Sequence, residues 1–183
     1  DYSPVVFNRK IEKSTHEWGY GIINAGSSGL IENMDISYMT GDGIYSGSVK
    51  AKGSVYHSSV EISGCRVSYC RRNGITLTSS KGVKILNTSV HHIGSYGGLS
   101  GTNPQSGIDL EYEDGVSDRG NVFIDGCEFY ECTRRGITAS NTNPPVPDNF
   151  ILRNSTFSKA DVMLNNMPRG MSKSVIGCIV NHS

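Results

Sequence analysis

The sequence predicts an all-β chain that winds as a right-handed, single-stranded parallel β-helix of about six coils, with three short strands in each coil. Three observations predict this fold. A short phrase of alternating apolar residues with a central Asn or Gly recurs six times. A further apolar run separates most of the copies. The spacing between copies varies in the way that loops inserted into a solenoid would make it vary.

The recurring phrase is interpreted as two short strands joined by a sharp bend. Alternating apolar residues indicate a strand with one buried face, and Asn and Gly adopt a positive φ more readily than other residues. The bends are separated by 31, 23, 39, 28 and 23 residues, which a core of about 22 residues per coil with variable loops explains. The predicted bend residues are Asn33, Gly64, Asn87, Gly126, Asn154 and Gly177.

A third strand is predicted between copies, where a Gly-Ile pair follows a polar turn, in the runs 43–45, 74–78, 107–111 and 136–140. Coils stacked about 4.8 Å apart would place like side chains in columns. The predicted inward columns are Ile44, Ile75, Ile108 and Ile137; Met34, Cys65, Thr88, Cys127, Ser155 and Cys178; and Met39, Cys70, Ile93, Cys132 and Ala160. The alternative is a flat β-sandwich of hairpins, which would not repeat one bend residue at one place.

The chain is expected to form one β-helix domain over residues 1–183. Within it we expect an initial segment at 1–19, coils at 20–180, and loop insertions at 94–106 and 141–148. The ends of a solenoid need a cover for their unpaired backbone groups, and neither end of this sequence has an evident cap. We therefore expect a segment of a longer chain.

Composition excludes several classes of function. The formal net charge is zero, which argues against binding driven by counterion release, so no nucleic-acid partner is expected. No apolar run approaches 18 residues, so no membrane span is expected. The five cysteines fall in two inward columns and are interpreted as core filler. Their spacing does not resemble a zinc site, and no metal ligands are assigned.

Candidate catalytic acids are concentrated on one predicted strand. With Ile108 and Leu110 facing inward, Asp109 and Glu111 would point outward on one strand face, and Glu113 would continue that line. Asp is depleted in strands, so this placement suggests a reason other than folding. A carboxylic acid beside a carboxylate is the pair that glycoside hydrolysis uses. The alternative is a solvated acidic turn.

Two further residues are predicted to join the catalytic acids. His92 precedes Asp109 in the same coil, and Glu131 lies one coil further on. A histidine can serve as acid or base near neutral pH. The alternative is that His91 and His92 form a surface pair without a catalytic role.

Candidate substrate-binding residues flank the acids. Arg72 and Arg135 would hold anionic groups, because guanidinium forks bind carboxylates bidentately; they would alternatively neutralise the nearby acids. Tyr69, Tyr96 and Tyr45 would line the sugar subsites. Tyr38 lies in the same outward column as Tyr69, followed by His92, Glu131 and Lys159.

The repeats and the stretch Ser106-Gly107-Ile108-Asp109-Leu110-Glu111 together resemble the pectate-lyase-like right-handed β-helix superfamily, over residues from about 20 to 180. Residues 40–44 are also similar to the Gly-Asp-Asp stretch of its polygalacturonase-type hydrolases, but Gly43 stands where the second Asp would be. The resemblance implies an extended polysaccharide along an outer groove. No cofactor is assigned, and the resemblance suggests only a calcium ion beside Asp109 and Glu111. It also implies an extracellular or virion-associated protein, with a homotrimer as in phage tailspikes.

The function expected from the sequence is cleavage of an extracellular or cell-surface polysaccharide by acid/base catalysis with paired carboxylates. The sequence favours an enzyme, a glycoside hydrolase or a polysaccharide lyase. One alternative is a non-catalytic glycan-binding or structural segment of a tailspike or other phage appendage. A second alternative is a lyase, in which a basic residue removes the proton next to a uronate carboxylate.

Overall fold

A computed structural model describes residues 19–95, 101–111, 120–139, 149–163 and 172–181. These ranges contain twenty β-strands and no helix, and eighteen of the strands form three parallel sheets of six. No helix in them is therefore long and apolar enough to cross a membrane.

Each of the three sheets contains one strand from every coil. Sheet A contains β1 (Ile22–Ala25), β4 (Ile44–Gly47), β9 (Ile75–Thr78), β12 (Ser106–Leu110), β15 (Arg135–Ala139) and β18 (Val162–Met163). Sheet B contains β2 (Ser28–Glu32), β7 (Ser59–Ser63), β10 (Gly82–Leu86), β13 (Asn121–Asp125), β16 (Asn149–Arg153) and β19 (Ser172–Ile176). Sheet C contains β3 (Asp35–Ser37), β8 (Arg66–Ser68), β11 (Ser89–Ile93), β14 (Glu128–Cys132), β17 (Thr156–Ser158) and β20 (Ile179–Asn181).

The chain visits sheets B, C and A in turn and then repeats, which makes six coils of a parallel β-helix. Equivalent residues of successive coils are paired in register; Ile62 lies opposite Ile85, and Ile85 opposite Ile124. All pairs within the three sheets are parallel, so the β-helix prediction is confirmed and the sandwich alternative is wrong.

The predicted bends between sheets B and C are confirmed. All six bend residues have a positive φ, between 47° and 64°. Asn and Gly also alternate strictly along this column, and the packing explains why. A Cβ added at Gly64 would lie 2.6 Å from Oδ1 of Asn33, and one at Gly126 would lie 2.6 Å from Oδ1 of Asn87. Each stacked Asn side chain therefore leaves little room for a Cβ in the next coil, and the positive φ there also favours glycine.

The predicted inward columns form the core, with one exception. Met34, predicted to begin the second column, is 46% exposed and does not join the core. Ile44, Ile75, Ile108 and Ile137 pair in register and are fully buried. Four cysteines are buried free thiols, and Cys178 in the last coil is half-buried. Burial raises the pKa of the Cys70 and Cys132 thiols to about 12, so these thiols stay protonated and act as the predicted core filler.

A column of glycines precedes the isoleucines of sheet A because neighbouring coils approach closely there. A Cβ at Gly74 would lie 2.6 Å from the carbonyl oxygen of Gly107. One at Gly107 would lie 2.5 Å from the carbonyl oxygen of Gly136. The recurring Gly-Ile pair is thus the sequence mark of this contact.

One element was missed by sequence analysis, a hairpin inserted between β4 and β7. It consists of β5 (Val49–Ala51) and β6 (Ser54–Tyr56), which pair antiparallel. Lys52 and Gly53 both have positive φ, as a two-residue hairpin turn requires. Of the predicted loops, residues 96–100 and 141–148 lie outside the described residues, as do 1–18 of the initial segment.

Candidate functional site

The predicted acids lie on the outer side of sheet A, in a column of hydroxyl-bearing residues. Register places Asp109 between Thr76 of β9 and Thr138 of β15, with Tyr45 one coil before Thr76. This register surrounds one carboxylate with hydroxyl groups.

Asp109 was expected to be exposed on the outer face of its strand, and this expectation is wrong. Its exposed fraction is zero, and Nδ2 of Asn73 in the preceding coil lies 3.4 Å from its Oδ2. The side chain points away from the apolar core but is covered by polar neighbours. Glu111, which follows β12, keeps 34% of its side chain exposed.

Arg72 joins acids from two other coils. Its Nη1 lies 2.8 Å from Oδ2 of Asp42, and its Nη2 lies 3.4 Å from Oε2 of Glu111. Only 11% of the Arg72 side chain is exposed. The geometry thus matches the alternative in which Arg72 neutralises nearby acids, and a direct contact with substrate stays a prediction.

Asp42 belongs to this cluster, although sequence analysis gave it no functional role. It is fully buried and accepts hydrogen bonds from the backbone N–H of Asn73 at 2.9 Å and from the hydroxyl of Thr76 at 2.8 Å. Burial raises its carboxyl pKa above the usual range, and this effect outweighs the opposing effects of Arg72 and of the hydrogen bonds. The signal was present in the register, since Asp42 precedes Ile44 by the same two residues by which Asn73 precedes Ile75.

The donors beside Asp109 and Glu111 do not fit the calcium ion considered for them. The Arg72 guanidinium already lies between Asp42 and Glu111, where it supplies the positive charge that a cation would bring. Within the described ranges, no group of three or more His, Cys, Asp or Glu side chains is arranged to hold a metal ion.

A second group of predicted residues lies on the outer side of sheet C. Nε2 of His92 lies 2.5 Å from Oε2 of Glu131, and Nζ of Lys159 lies 3.7 Å from Oε1 of the same carboxylate. The one-coil separation predicted for His92 and Glu131 is therefore confirmed. Their side chains are 24% and 35% exposed, so both can contact a ligand.

The backbone conformation directs the side chains of the outward column of sheet C toward the surface. Its five residues lie near the ends of the sheet C strands or directly after them, and they have positive φ between 49° and 61°. They are Tyr38, Tyr69, His92, Glu131 and Lys159. None of these residue types favours the left-handed region as Gly or Asn does, so sequence reasoning found the column but not its conformation. Bonds between coils hold it, such as that from the N–H of Tyr69 to the carbonyl of His91.

Aromatic rings make a continuous strip along this column and the position before it. Tyr38 stacks on Tyr69 with centroids 4.9 Å apart, and Tyr69 lies 4.8 Å from His92. His91 stacks on Tyr130 at 4.4 Å. The strip of Tyr38, Tyr69, His92, His91 and Tyr130 is called the aromatic strip below.

The remaining predicted residues are placed as follows. The Tyr45 hydroxyl accepts a hydrogen bond from Thr78 at 2.7 Å, and its ring lies 5.1 Å from Tyr20. Arg135 begins β15 and is half-buried opposite Ser106. Glu113 and Tyr96 lie outside the described residues. The predicted set thus falls into a sheet A group around Arg72 and a sheet C group around His92.

Comparison with known proteins gives a family and two relatives. Residues 3–180 match the family described as right handed beta helix region. The chain is similar to the SPbeta prophage-derived uncharacterized protein YorA of Bacillus subtilis (strain 168), with 33% identity over 164 residues, or 82% of this chain and 26% of that protein. It is also similar to the uncharacterized protein YclG of the same strain, with 36% identity over 129 residues, or 61% of this chain and 21% of that protein.

The chain therefore spans about a quarter or less of the length of the curated relatives that it matches. No solved structure matches it. The family match covers nearly the whole chain and agrees with the three parallel sheets and their six coils. The chain belongs to the right-handed β-helix family.

Proposed function

We propose that this chain is a carbohydrate-active β-helix protein that binds an extended polysaccharide along sheets C and A and cleaves it by acid/base catalysis. The observation that carries the proposal is the aromatic strip, which leads directly into the His92–Glu131 pair. A platform for sugar rings and a pair able to move protons thus lie side by side.

The exposed aromatic rings are better explained by sugar binding than by a contribution to the core. Tyr38 is 67% exposed and stacks on Tyr69 at an angle of 5°. Aromatic faces offer apolar surface with a polar hydroxyl at the edge, and the apolar C–H faces of sugar rings are complementary to them. Stacked tyrosines on a rigid column would bind a polymer that runs along the coils.

The exposed carboxylates are the best candidates for chemistry. Glycoside cleavage needs one group to protonate the leaving oxygen and a second to activate water or to attack. Glu131 and Glu111 have partly exposed side chains, whereas Asp109 is fully buried. We assign the acid/base role first to Glu131 with His92, then to Glu111; Asp109 and Glu113 stay candidates from the sequence.

The proposal places the protein on a virion or at a cell surface. One relative is named as prophage-derived, which supports a phage-associated location. A homotrimer is part of the same proposal. Sedimentation of the purified chain would measure its oligomeric state, and a monomer at all concentrations would remove that part.

A second candidate function is glycan binding without cleavage. It is favoured by the sheet A cluster, because the buried acids Asp42 and Asp109 and the paired Glu111 hold coils together through Arg72 and Asn73. In that case the aromatic strip would be an adhesion surface.

Reducing-end release from host polysaccharides tests the proposal. Glu131→Gln is expected to lower the rate by roughly 10²-fold or more, since a positioned acid/base supplies that much. Glu61→Gln is the matched control, because Glu61 pairs with Lys84 on the outer side of sheet B and should leave the rate unchanged. Tyr38→Ala should weaken binding.

The outcomes separate the candidates. Binding that depends on Tyr38 without new chain ends would establish the adhesion function. Ultraviolet absorbance from a new double bond would identify a lyase. Unchanged cleavage in Glu131→Gln, Glu111→Gln and Asp109→Asn would overturn the catalytic assignment.

A further inference from the structure

The two adjacent histidines of β11 face each other through like atoms. Nδ1 of His91 lies 2.9 Å from Nδ1 of His92, and Nε2 of His92 lies 2.5 Å from Glu131. His91 is 7% exposed, while the His92 side chain is 24% exposed. The three residues therefore form a chain of contacts from a buried ring to a partly exposed carboxylate.

We propose that His91 and His92 share one proton between their Nδ1 atoms, and that His91 is thereby a positioning residue for the His92–Glu131 pair. The catalytic meaning of this arrangement rests on the proposed polysaccharide cleavage. The proton sharing itself does not depend on any substrate.

The distance of 2.9 Å requires a single proton between the rings. Two N–H groups cannot point at each other at this distance, and two bare lone pairs would repel. A neutral His92 that donates its Nε2–H to the Glu131 carboxylate has a bare Nδ1. His91 must then carry its proton on Nδ1 and leave its own Nε2 bare.

Burial supports this assignment of protons. Nε2 of His91 is buried and has no hydrogen-bond partner among the described residues. Burial, and after it the neighbouring His92, lower the pKa of His91. Burial thus favours the neutral form of the His91 ring.

One proton added to the pair changes both rings together. An N–H bond forms at Nε2 of His91, the Nδ1–H bond of His91 breaks, and an N–H bond forms at Nδ1 of His92. His91 ends neutral as the other tautomer, and His92 ends as the cation between His91 and Glu131. Other groups that face His91 affect this step, namely Asp35, Arg66, Tyr69 and Tyr130.

This arrangement divides the roles within the site. Both ring nitrogens of His92 are engaged, one by His91 and one by Glu131. Glu131 has its second oxygen 3.7 Å from Lys159 and keeps 35% of its side chain exposed. Glu131 is therefore the catalytic residue of the three. His92 is its proton partner, and His91 holds the His92 ring in one orientation.

Two substitutions of His91 distinguish the contribution of its ring nitrogens from that of its aromatic stacking. His91→Phe keeps an aromatic ring to stack on Tyr130 but removes both nitrogens. His91→Asn places an amide near the position of Nδ1 and preserves a hydrogen bond to His92. A role in packing alone predicts that Phe is the better replacement, and proton sharing predicts that Asn is.

Nitrogen-15 NMR of the labelled protein tests the proton sharing without substrate. Above the histidine titration we expect the proton of His91 on Nδ1 and that of His92 on Nε2. As pH falls, both rings should change in one shared step. A His91 proton on Nε2 at high pH, or two separate steps, would overturn the proposal.

Kinetics on a cleaved polysaccharide tests the positioning role. His91→Phe should lower kcat by roughly 10-fold to 100-fold with little change in KM, as the loss of an oriented acid/base partner does, and His91→Asn should restore most of kcat. Cleavage that depends on Glu131 but is unchanged in His91→Phe would refute this inference and leave the proposed function intact. A shared NMR step in a protein that cleaves no polysaccharide would support the proton sharing and refute the proposed cleavage.

Discussion

At the scale of single residues, left-handed backbone conformations decide where the side chains of the site point. Tyr69, His92 and Glu131 adopt φ values of 53°, 52° and 51°. Such a conformation costs an L-residue about 1–2 kcal/mol, and the bonds between coils hold each residue in it. This conformation, repeated at one position in successive coils, directs the side chains of Tyr69, His92 and Glu131 outward.

Sequence reasoning reached the members of this column but not its geometry. Asn33 and Gly64 reveal their bend through residue type, since Asn and Gly tolerate positive φ. Tyr, His and Glu carry no such signal, so the second bend becomes visible only when coils are stacked.

The first prediction concerns the pH dependence that Asp42 gives to stability. The fold raises its pKa, so between pH 3.8, the ordinary value, and the raised value the native state binds more protons than the unfolded state. The contribution of Asp42 to the free energy of unfolding therefore falls as pH rises through that window, by at most about 1.4 kcal/mol per pH unit.

Urea unfolding of wild type and Asp42→Asn across this pH range measures the contribution. The free energy of unfolding of wild type minus that of the variant should decrease as pH rises and then level off. A difference that increases with pH would show that Arg72 outweighs burial and lowers the pKa instead.

At the scale of elements, the sheet A glycines set how closely successive coils pack. A Cβ at Gly107 would meet the backbone oxygen of Gly136 at 2.5 Å and the ring of Phe129 at 3.0 Å. Backbone in adjacent coils cannot move apart without loss of ladder hydrogen bonds. The sequence showed the Gly-Ile repeat, but the reason for the glycine was visible only from the neighbouring coil.

The second prediction follows from this contact. Gly107→Ala should lower the free energy of unfolding by about 1–3 kcal/mol through overpacking. Gly82→Ala is the matched control in β10, where the nearest atom to an added Cβ, Cβ of Ser59, lies 4.0 Å away. Its stability should be unchanged or higher by up to about 1 kcal/mol.

Chemical denaturation of both variants checks this prediction. Equal stability of Gly107→Ala and Gly82→Ala would show that the coils can separate at sheet A. The hairpin β5–β6 offers no comparable test, since its strands pair with each other and belong to none of the three sheets.

At the scale of the whole molecule, each coil of a solenoid contacts only its neighbours. Stability is then the sum of coil and interface contributions. Ile85 and Ile124 in the central coils are fully buried, whereas Val175 and Ile179 in the last described coil are 53% and 55% exposed. Amide protection is therefore expected to be lower in that coil than in the central coils.

The third prediction is a gradient of amide hydrogen exchange. Amides of β10 and β13 should exchange more slowly than those of β19 and β20, because the side chains of the last described coil are more exposed. Mass spectrometry of peptides from each coil would measure the rates at two protein concentrations. Slow exchange of β19 and β20 at both concentrations would contradict the gradient.

The sequence by itself determined the coil, the bends, the inward columns and the one-coil step from His92 to Glu131, because a regular repeat converts spacing along the chain directly into register. It also named most members of the candidate site. Only the tertiary structure decided that Asp109 is covered, that Arg72 and Asp42 form a buried pair, and that His91 faces His92. These facts depend on burial and side-chain direction, which neighbouring coils set together and which no single repeat contains.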